Sequence, residues 1–175
     1  MRDRQNDAVT RTAWFHCFAG TAGDMTMAAL VDAGADPSVI ADLVGRLDLD
    51  GYALTFEEVM RCGVAATQAH VVVLDDQHGE HDQHRGYRAI RDLIDAADLP
   101  EQVRDRAQRT FAMLADVEGK MHRTPADDVE FHEVGSVDAI VDIVGTCAAL
   151  ESLGVERIVC SSITVGEGTV LAAHG

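Results

Sequence analysis

Hydrophobic and polar residues follow either the two-residue period of a strand or the roughly 3.6-residue period of a helix along this chain. The changes from one period to the other mark the predicted secondary-structure elements. A short apolar run at residues 12–18 ends before glycines, which is typical of a buried strand. Two helical patterns follow at residues 24–34 and 36–47. Strand-like runs on either side of Cys62-Gly63 then predict an antiparallel hairpin.

The second half of the chain is mainly helical in pattern. Residues 87–97 form one helical stretch, and a longer one runs from Pro100 to about His122. The longer helix carries apolar residues at helical spacing, so one stripe of it is expected to face the core. This stripe consists of Val103, Ala107, Phe111, Leu114, Val117 and Met121.

The last helix is predicted over residues 137–153, where apolar residues surround the circumference and indicate a buried position. Ser136 is suited to cap its first turn, and Gly154 is suited to end it. A final strand-like run covers residues 157–166.

The order strand, helices, hairpin, helices, strand permits two architectures. In a ferredoxin-like α+β sandwich the first and last strands would lie antiparallel, with the loops that follow them at opposite ends. In an α/β fold with these strands parallel, both loops and the start of the helix at Val137 meet at one carboxyl edge, where open sheets bind ligands. We predict the α/β class, with a mixed β-sheet, an antiparallel hairpin and packed helices, because it collects the unusual polar residues in one place.

Length and composition fit a single globular domain. The chain has 175 residues, of which 47% are hydrophobic and 25% charged, close to the averages for globular proteins. No internal repeat or interdomain linker is visible. We therefore predict one domain over residues 1–175, with residues 1–11 as a disordered arm.

The net charge of −16 narrows the range of partners. It argues against nucleic acid and anionic membranes and favours cations. The amino terminus lacks the apolar region of a signal peptide, and no apolar run approaches the roughly 18 residues of a membrane span. The cysteines have no CxxC spacing, so reduced thiols, a cytoplasmic location and a role as small core residues are expected. They are Cys17, Cys62, Cys147 and Cys160.

Asp138 and Asp142 are unusual on so apolar a helix. They lie one turn apart and share a face with Gly145 and Ala149, small residues that leave room for a ligand or another backbone. Burying an unpaired carboxylate is costly, so two of them in a core should meet cations, donors or a metal. The alternative is that Asp138 only complements the helix dipole while Asp142 reaches solvent or an arginine.

His132 and Glu133 come shortly before that helix, followed by Gly135 and Ser136. Free amides at the helix start are suited to hold an anion, and the His-Glu pair is suited to ligate a metal or move a proton. A plain capping loop, with its histidine hydrogen-bonded to backbone, explains the same residues equally well.

The turn "GTAGDM" follows the first strand and opens a helix. The amides of Gly20, Thr21 and Gly23 have a geometry that suits a phosphate. Asp24 would repel that phosphate unless it binds a bridging cation, and an ordinary N-cap is an equally good explanation of this residue.

Histidines recur among acids in the polar loop "DDQHGEHDQH". Imidazole and carboxylate together suit nickel, cobalt or zinc, and a flexible loop would exchange the metal readily. A solvated acidic loop without a ligand is the competing interpretation. Glu118 and His122 form a further i, i+4 pair, either a metal site or surface decoration. The candidate ligands in the loop are His78, His81 and His84.

Five segments of the chain occur in the order found in one known family. They are "WFHCFAGTAGDM", a histidine-containing loop running into "HRGYRAIRDLI", "EGKMH", "FHEVGSVDAIVDIVG" and "CSSITVGEGTVLAAHG". Together they resemble the LarC family, the nickel insertion proteins that make the nickel-pincer cofactor of lactate racemase. The resemblance covers nearly the whole chain from Thr12 onward. Members of that family are commonly more than twice as long, and this chain resembles their amino-terminal part.

The resemblance implies a nickel chelatase of the lyase class, acting as a cyclometallase. Such an enzyme places Ni(II) into pyridinium-3,5-bisthiocarboxylic acid mononucleotide through two Ni–S bonds and one Ni–C bond, while CTP is hydrolysed with Mn or Mg. The later half of the family is where CTP is thought to bind. A carboxyl-terminal LarC-like polypeptide is therefore the expected partner, and this chain alone is expected to be incomplete.

The leading hypothesis assigns a role to each candidate residue. The catalytic residues are Asp24, His132, Glu133, Asp138 and Asp142. The residues that hold the substrate are Gly20, Thr21, Gly23, Gly135 and Ser136. The metal ligands are His78, His81, His84, His132, Glu118 and His122.

Two rival hypotheses stand beside it. In the first, the protein stores or delivers nickel through its histidine loop and performs no chemistry. In the second, it is an assembly subunit that supports a catalytic partner. Homo-oligomerisation is compatible with all three hypotheses.

Overall fold

The computed structural model describes residues 10–74 and 85–169, and the elements follow the predicted order. Residues 1–9 of the predicted arm lie outside the described part. Short 3-10 turns at Ala126–Asp128 and Glu133–Gly135 connect the last two helices. The helices and strands are β1 (Thr12–Phe15), α1 (Gly23–Asp32), α2 (Pro37–Val44), β2 (Tyr52–Arg61), β3 (Val64–Val73), α3 (Tyr87–Ala96), α4 (Glu101–His122), α5 (Val137–Ser152) and β4 (Arg157–Cys160).

The strands form one parallel and one antiparallel pair. β1 lies parallel to β4, with Thr12 opposite Arg157 and Phe15 opposite Cys160. β2 and β3 form the antiparallel hairpin, and within the described residues each pair is a two-stranded sheet of its own. The α/β class is therefore confirmed. The ferredoxin-like alternative is wrong, because it requires β1 and β4 to be antiparallel.

The helix ends use local caps, of which Ser136 and Gly154 were predicted from the sequence. Asp36 precedes α2 and accepts a hydrogen bond from the backbone N–H of Ser38 at 2.8 Å. Ser136 precedes α5 and accepts one from the N–H of Ala139 at 3.3 Å. Gly154 follows α5 with a φ of +62°, a conformation that glycine adopts readily. Local chemistry thus sets where α2 and α5 begin and where α5 stops.

α5 forms the centre of the molecule. It packs against α1, α2 and α4, and its apolar side chains are buried as its sequence predicts. The close approach of α1 depends on Gly145, since a Cβ there would lie 2.5 Å from the Sδ of Met27. The carboxylates of α5 are consequently held next to a tightly packed core.

The buried stripe of α4 differs from the predicted one. The prediction is right for its first half, but Val117 and Met121 are 58% and 72% exposed. Ala115 and Gly119 are buried instead, because the chain after α4 folds back closely and a Cβ on Gly119 would lie 2.6 Å from the carbonyl oxygen of Thr124. Small residues allow this approach where larger apolar ones would not. The buried line is Val103, Ala107, Phe111, Ala115 and Gly119.

β1 is shorter and less buried than predicted. It ends at Phe15, and Trp14 and Phe18 are 65% and 72% exposed. Trp14 stacks on His16 with ring centroids 5.2 Å apart, and His16 lies 5.3 Å from Phe18. These three rings, which we call the outer aromatic face, lie on one side of the β1 segment. β4 is shorter as well and ends at Cys160.

The expectation that the cysteines are core residues is only half right. Cys17 and Cys147 are buried, whereas Cys62 and Cys160 are exposed. Cys62 lies in the hairpin turn with a φ of +50°, and Cys160 ends β4. All four are free thiols. None of the described helices combines the length and the hydropathy that a membrane span requires.

Candidate active site

A cavity of about 470 Å³ lies between the β1–β4 pair and the helices α4 and α5. Its volume is within the range of pockets that hold small molecules. It is mostly apolar, with a few polar side chains among the aliphatic ones. Its polar and charged lining consists of Cys17, Thr21, Thr26, Arg106, Arg109, Thr110, Asp142, Thr146, Cys147 and Cys160.

The loops that follow β1 and β4 are tied together at the mouth of this cavity. The N–H of Ser161 donates to the carbonyl of Phe15 at 2.9 Å, and the N–H of Cys17 donates to the Ser161 hydroxyl at 3.0 Å. Further along, the N–H of Thr164 donates to the carbonyl of Cys17 at 3.2 Å. The carboxyl ends of the two parallel strands therefore meet in one place, as the α/β prediction requires.

Asp142 is the acidic residue that lines the cavity. Its side chain packs directly on Gly23, where an added Cβ would overlap the carboxylate. It accepts a hydrogen bond from the backbone N–H of Asp24, while its Oδ1 is buried and has no hydrogen-bond partner among the described residues. Burial, helped by the charges of Asp138 and Asp24, raises the pKa of Asp142 to about 6. This carboxylate therefore titrates close to neutral pH.

Two further carboxylates lie close enough to influence Asp142. Asp138 is one turn earlier on α5, and partial burial together with the charge of Asp24 raises its pKa. Asp24 opens α1, and its Oδ1 accepts the N–H of Met25 at 2.7 Å. Asp24 faces mainly a second cavity of about 410 Å³ between α1 and the hairpin. The structure thus brings together three of the five predicted catalytic residues, with Asp142 alone on the main cavity.

Two arginines of α4 give the cavity positive charge. The guanidinium of Arg106 donates to the carbonyl of Val155, and its Nη1 lies 3.9 Å from Glu151. Arg109 is exposed, and no hydrogen-bond or ion-pair partner of its side chain is found among the described residues. Neither arginine is among the site residues predicted from the sequence. Both arginines lie on α4 next to its buried positions, and Thr110 and Met113 follow at helical spacing. This pattern was the available sequence signal for a cavity-facing side of α4.

Two of the three residues predicted to bind substrate in the turn after β1 line the main cavity. Thr21 and Gly23 line the main cavity, and Gly20 adopts a φ of +82° next to the carbonyl of Thr164. The Thr21 hydroxyl lies 2.8 Å from that of Thr26. Because the carboxylate of Asp142 already occupies one amide of the turn, an anionic ligand has fewer free donors here than the sequence suggested.

The residues before α5 lie away from the main cavity. Ser136 caps α5, and Gly135 is buried against the backbone of Arg85. His132 is half-buried in the same stretch and does not line the cavity. The side chain of Glu133 lies outside the described part. Substrate and metal roles for this segment remain predictions.

The predicted metal ligands are not gathered into one site. The Nε2 of His122 lies 3.3 Å from the Oε1 of Glu118 near the end of α4. His78, His81 and His84 lie outside the described residues. Within the ranges 10–74 and 85–169, no group of three or more His, Cys, Asp or Glu side chains is placed to hold a metal. The described part therefore offers no site to which Mn or Mg can be assigned.

The chain matches the family model described as nickel insertion protein over residues 13–175. It is 45% identical over 166 residues to a putative nickel insertion protein of Thermomicrobium roseum, covering 94% of this chain and 40% of that protein. Proteins of Staphylococcus epidermidis and Geobacillus kaustophilus, each named pyridinium-3,5-bisthiocarboxylic acid mononucleotide nickel insertion protein, are 38% and 40% identical. They cover 95% and 93% of this chain and 41% of their own lengths.

No solved structure shows significant similarity to the chain. The chain spans about two fifths of the length of the curated relatives it matches. The family model nevertheless matches nearly all residues of this chain, including the strands β1 and β4 and the helices α4 and α5 that surround the cavity. The chain therefore belongs to the LarC family of nickel insertion proteins.

Proposed function

We propose that this chain takes part in nickel insertion into pyridinium-3,5-bisthiocarboxylic acid mononucleotide, and that the cavity between β1–β4 and α4–α5 holds the substrate. The names of two relatives support the choice of substrate. The observation that carries the proposal is Asp142, a half-buried carboxylate with an unpaired oxygen on a cavity of suitable size. The product is the nickel-pincer cofactor of lactate racemase.

Asp142 is the base in this proposal. When nickel bonds to the pyridinium carbon, that carbon must lose a proton, and the carboxylate of Asp142 accepts it. A pKa of about 6 leaves Asp142 ionised at neutral pH while making it a stronger base than an ordinary aspartate. Asp138 and Asp24 act through Asp142, because their charges help to raise its pKa.

The arginines and threonines of the cavity bind the substrate. The substrate is an anion, and Arg109 offers a guanidinium with no described partner on a cavity that Thr110 and Thr146 also line. Thr21 and Gly23 contact the substrate from the opposite wall. We therefore propose that Arg109, and not the turn after β1, binds the phosphate of the substrate.

Replacing Asp142 tests the proposal. In a polypeptide that carries the full family length, Asp142→Asn should lower the rate of nickel insertion by about 100-fold and remove its decline below pH 6, because the base is lost. Asp105→Asn, at an exposed position of α4 outside the cavity, is the matched control. An Asp142→Asn protein with the wild-type rate and pH profile would exclude Asp142 as the base.

The complete reaction requires the rest of the family polypeptide in our proposal. We assign CTP hydrolysis, with Mn or Mg, to a carboxyl-terminal LarC-like partner, and place the lyase reaction in the cytoplasm, where thiols stay reduced. Parallel strands are normally covered on both sides. The outer aromatic face of Trp14, His16 and Phe18 is therefore the surface on which we place this partner.

The storage hypothesis predicts a different result for one deletion. Removing residues 77–84 takes away His78, His81 and His84. A nickel store would then lose nearly all bound nickel, whereas an insertase should retain a slower reaction. Equilibrium dialysis with nickel and the insertion assay, applied to the same deletion variant, separate the two functions.

A further inference from the structure

We propose that Cys17 and Cys160 form a two-thiolate site that holds the nickel ion next to the substrate and hands it over. Their sulfur atoms lie 3.8 Å apart on the wall of the main cavity. The inference rests on the proposed function for the identity of the metal and of the substrate. It assigns a role to a pair of side chains that lie 143 residues apart in the sequence.

The backbone fixes the position of this pair. Cys160 ends β4 opposite Phe15, and Cys17 follows two residues after Phe15. The N–H of Cys17 donates to the Ser161 hydroxyl at 3.0 Å, and its carbonyl accepts the N–H of Thr164 at 3.2 Å. The backbone of Cys17 is therefore held on both sides of its side chain, and Cys160 is held by the pairing of β4 with β1. The two sulfur atoms are preorganised, which lowers the entropic cost of binding a metal between them.

The distance between the two sulfur atoms suits a single metal ion that is bound by both thiolates. Two thiolates bound to one tetrahedral metal at about 2.3 Å stand about 3.8 Å apart. The observed 3.8 Å matches this value without movement of either strand. Thiolates are soft ligands, and the affinity of a given nitrogen, oxygen or sulfur site for divalent metals rises from manganese through iron and cobalt to nickel.

The other cysteines of the chain are not equivalent. Cys147 also lines the cavity, but it lies on α5 and not on the paired strands, and burial raises its pKa to about 12. Cys62 lies in the hairpin turn and does not line the cavity. Burial and the neighbouring Cys160 raise the pKa of Cys17, and a bound cation would offset both effects.

Two protein ligands leave the metal open to the substrate. Within the described residues no third ligand completes the set, so the remaining coordination positions stay available. During transfer, two Ni–S bonds to cysteine break and two Ni–S bonds to the thiocarboxylates form. Nickel remains Ni(II), and the thiolates regain protons from water. The proton from the ring carbon goes to Asp142, which lines the same cavity.

Titration with Co(II) and with Ni(II) alone tests the site. The full chain, kept reduced with a phosphine that contains no thiol, should develop a thiolate-to-metal charge-transfer band. Cys160→Ser and Cys17→Ser should each lose this band and weaken the sulfur-linked binding by at least about tenfold. Cys62→Ser, the exposed matched control, should keep it. The band reports sulfur ligation and is not produced by histidines.

Several results would overturn the inference. They are the absence of the band in the wild-type chain, its persistence in Cys160→Ser, and its loss in Cys62→Ser. Cys160 is exposed, so its replacement should preserve the fold, and thermal unfolding checks this. The insertion assay separates this inference from the proposed function. A normal rate in Cys160→Ser removes the handover role alone, whereas an intact band without any insertion in the full-length protein removes the proposed function alone.

Discussion

Asp142 has its unusual properties because of residues distant in the sequence as well as its helix neighbour. Gly23 supplies the space for its carboxylate, and Asp24 supplies both a hydrogen bond and a repelling charge. The sequence pattern identified Asp142 as an acid on an apolar helix. It did not show that one oxygen would lack a partner, because this depends on how α1 approaches α5.

The stability of the protein should depend on pH through Asp142. Its pKa rises from 3.8 to about 6 on folding, so the folded state binds the proton more tightly and stability falls as pH increases through this interval. Asp142→Asn removes the charge and should raise the melting temperature above pH 6 relative to wild type. The advantage should vanish near pH 3.8. Calorimetry across this range measures both effects.

Asp105→Asn provides the comparison, because Asp105 is an exposed carboxylate of α4. It should change the melting temperature little at either pH. If Asp142→Asn were equally destabilised at both ends of this pH range, the carboxylate would stabilise the fold as a hydrogen-bond acceptor. Burial of its charge would then not limit the stability of the protein.

The cysteine pair shows why some site residues escape sequence reasoning. A parallel pairing of the first and last strands was predicted, and it places Cys17 and Cys160 in the same region. Their 3.8 Å separation additionally requires the register, in which Phe15 lies opposite Cys160. Neither composition nor spacing along the chain contains that information.

At the scale of elements, the contact between the start of α1 and the middle of α5 determines the geometry of the site. Helices and hairpin were predictable because caps such as Ser136 and the hydrophobic periods mark them locally. The second half of the buried line on α4 was not predictable in this way. There a close backbone approach selects Ala115 and Gly119 over larger apolar residues.

Gly23→Ala should disrupt the site through this helix contact. The added methyl group would overlap the carboxylate of Asp142 and force it away from the cavity wall. We expect a loss in insertion rate of about 100-fold, the cost of misplacing a reacting group by roughly 1 Å. Overpacking should also reduce the free energy of unfolding by about 1–3 kcal/mol. Insertion kinetics and urea denaturation measure the two effects.

Gly166→Ala is the matched control for that substitution. A Cβ at Gly166 meets no atom within 4 Å, so insertion rate and stability should stay close to wild type. If both glycine variants lost activity equally, a general effect of alanine would explain the loss, and the α1–α5 contact would not control Asp142.

For the whole molecule, the outer aromatic face is the surface on which we propose that the carboxyl-terminal partner binds. Trp14, His16 and Phe18 stack in the open, although the sequence predicted a buried strand. The apolar character of this run agrees with the prediction, but the predicted burial does not, because Trp14 and Phe18 are exposed. Since the curated relatives are more than twice as long as this chain, the missing cover belongs to the remaining polypeptide in our proposal.

Trp14 offers a direct measurement of this contact, because it is the sole tryptophan of the chain. When the remainder of the family polypeptide, prepared without tryptophan, is added, the emission of Trp14 should shift to shorter wavelength as its ring leaves water. The Trp14→Phe variant contains no tryptophan and gives the background emission. An unchanged spectrum in a complex that forms by size measurement would place the interface elsewhere.

The pairing of β1 with β4 has a consequence for how the protein is made. One wall of the cavity is built from β1 and β4 together, and Cys17 meets Cys160 across 143 positions. Such distant contacts close late, because a long loop must be ordered first. A nascent chain on the ribosome, lacking β4, cannot assemble the sulfur pair. In our proposal, nickel capture at that pair therefore waits until β4 has been synthesised.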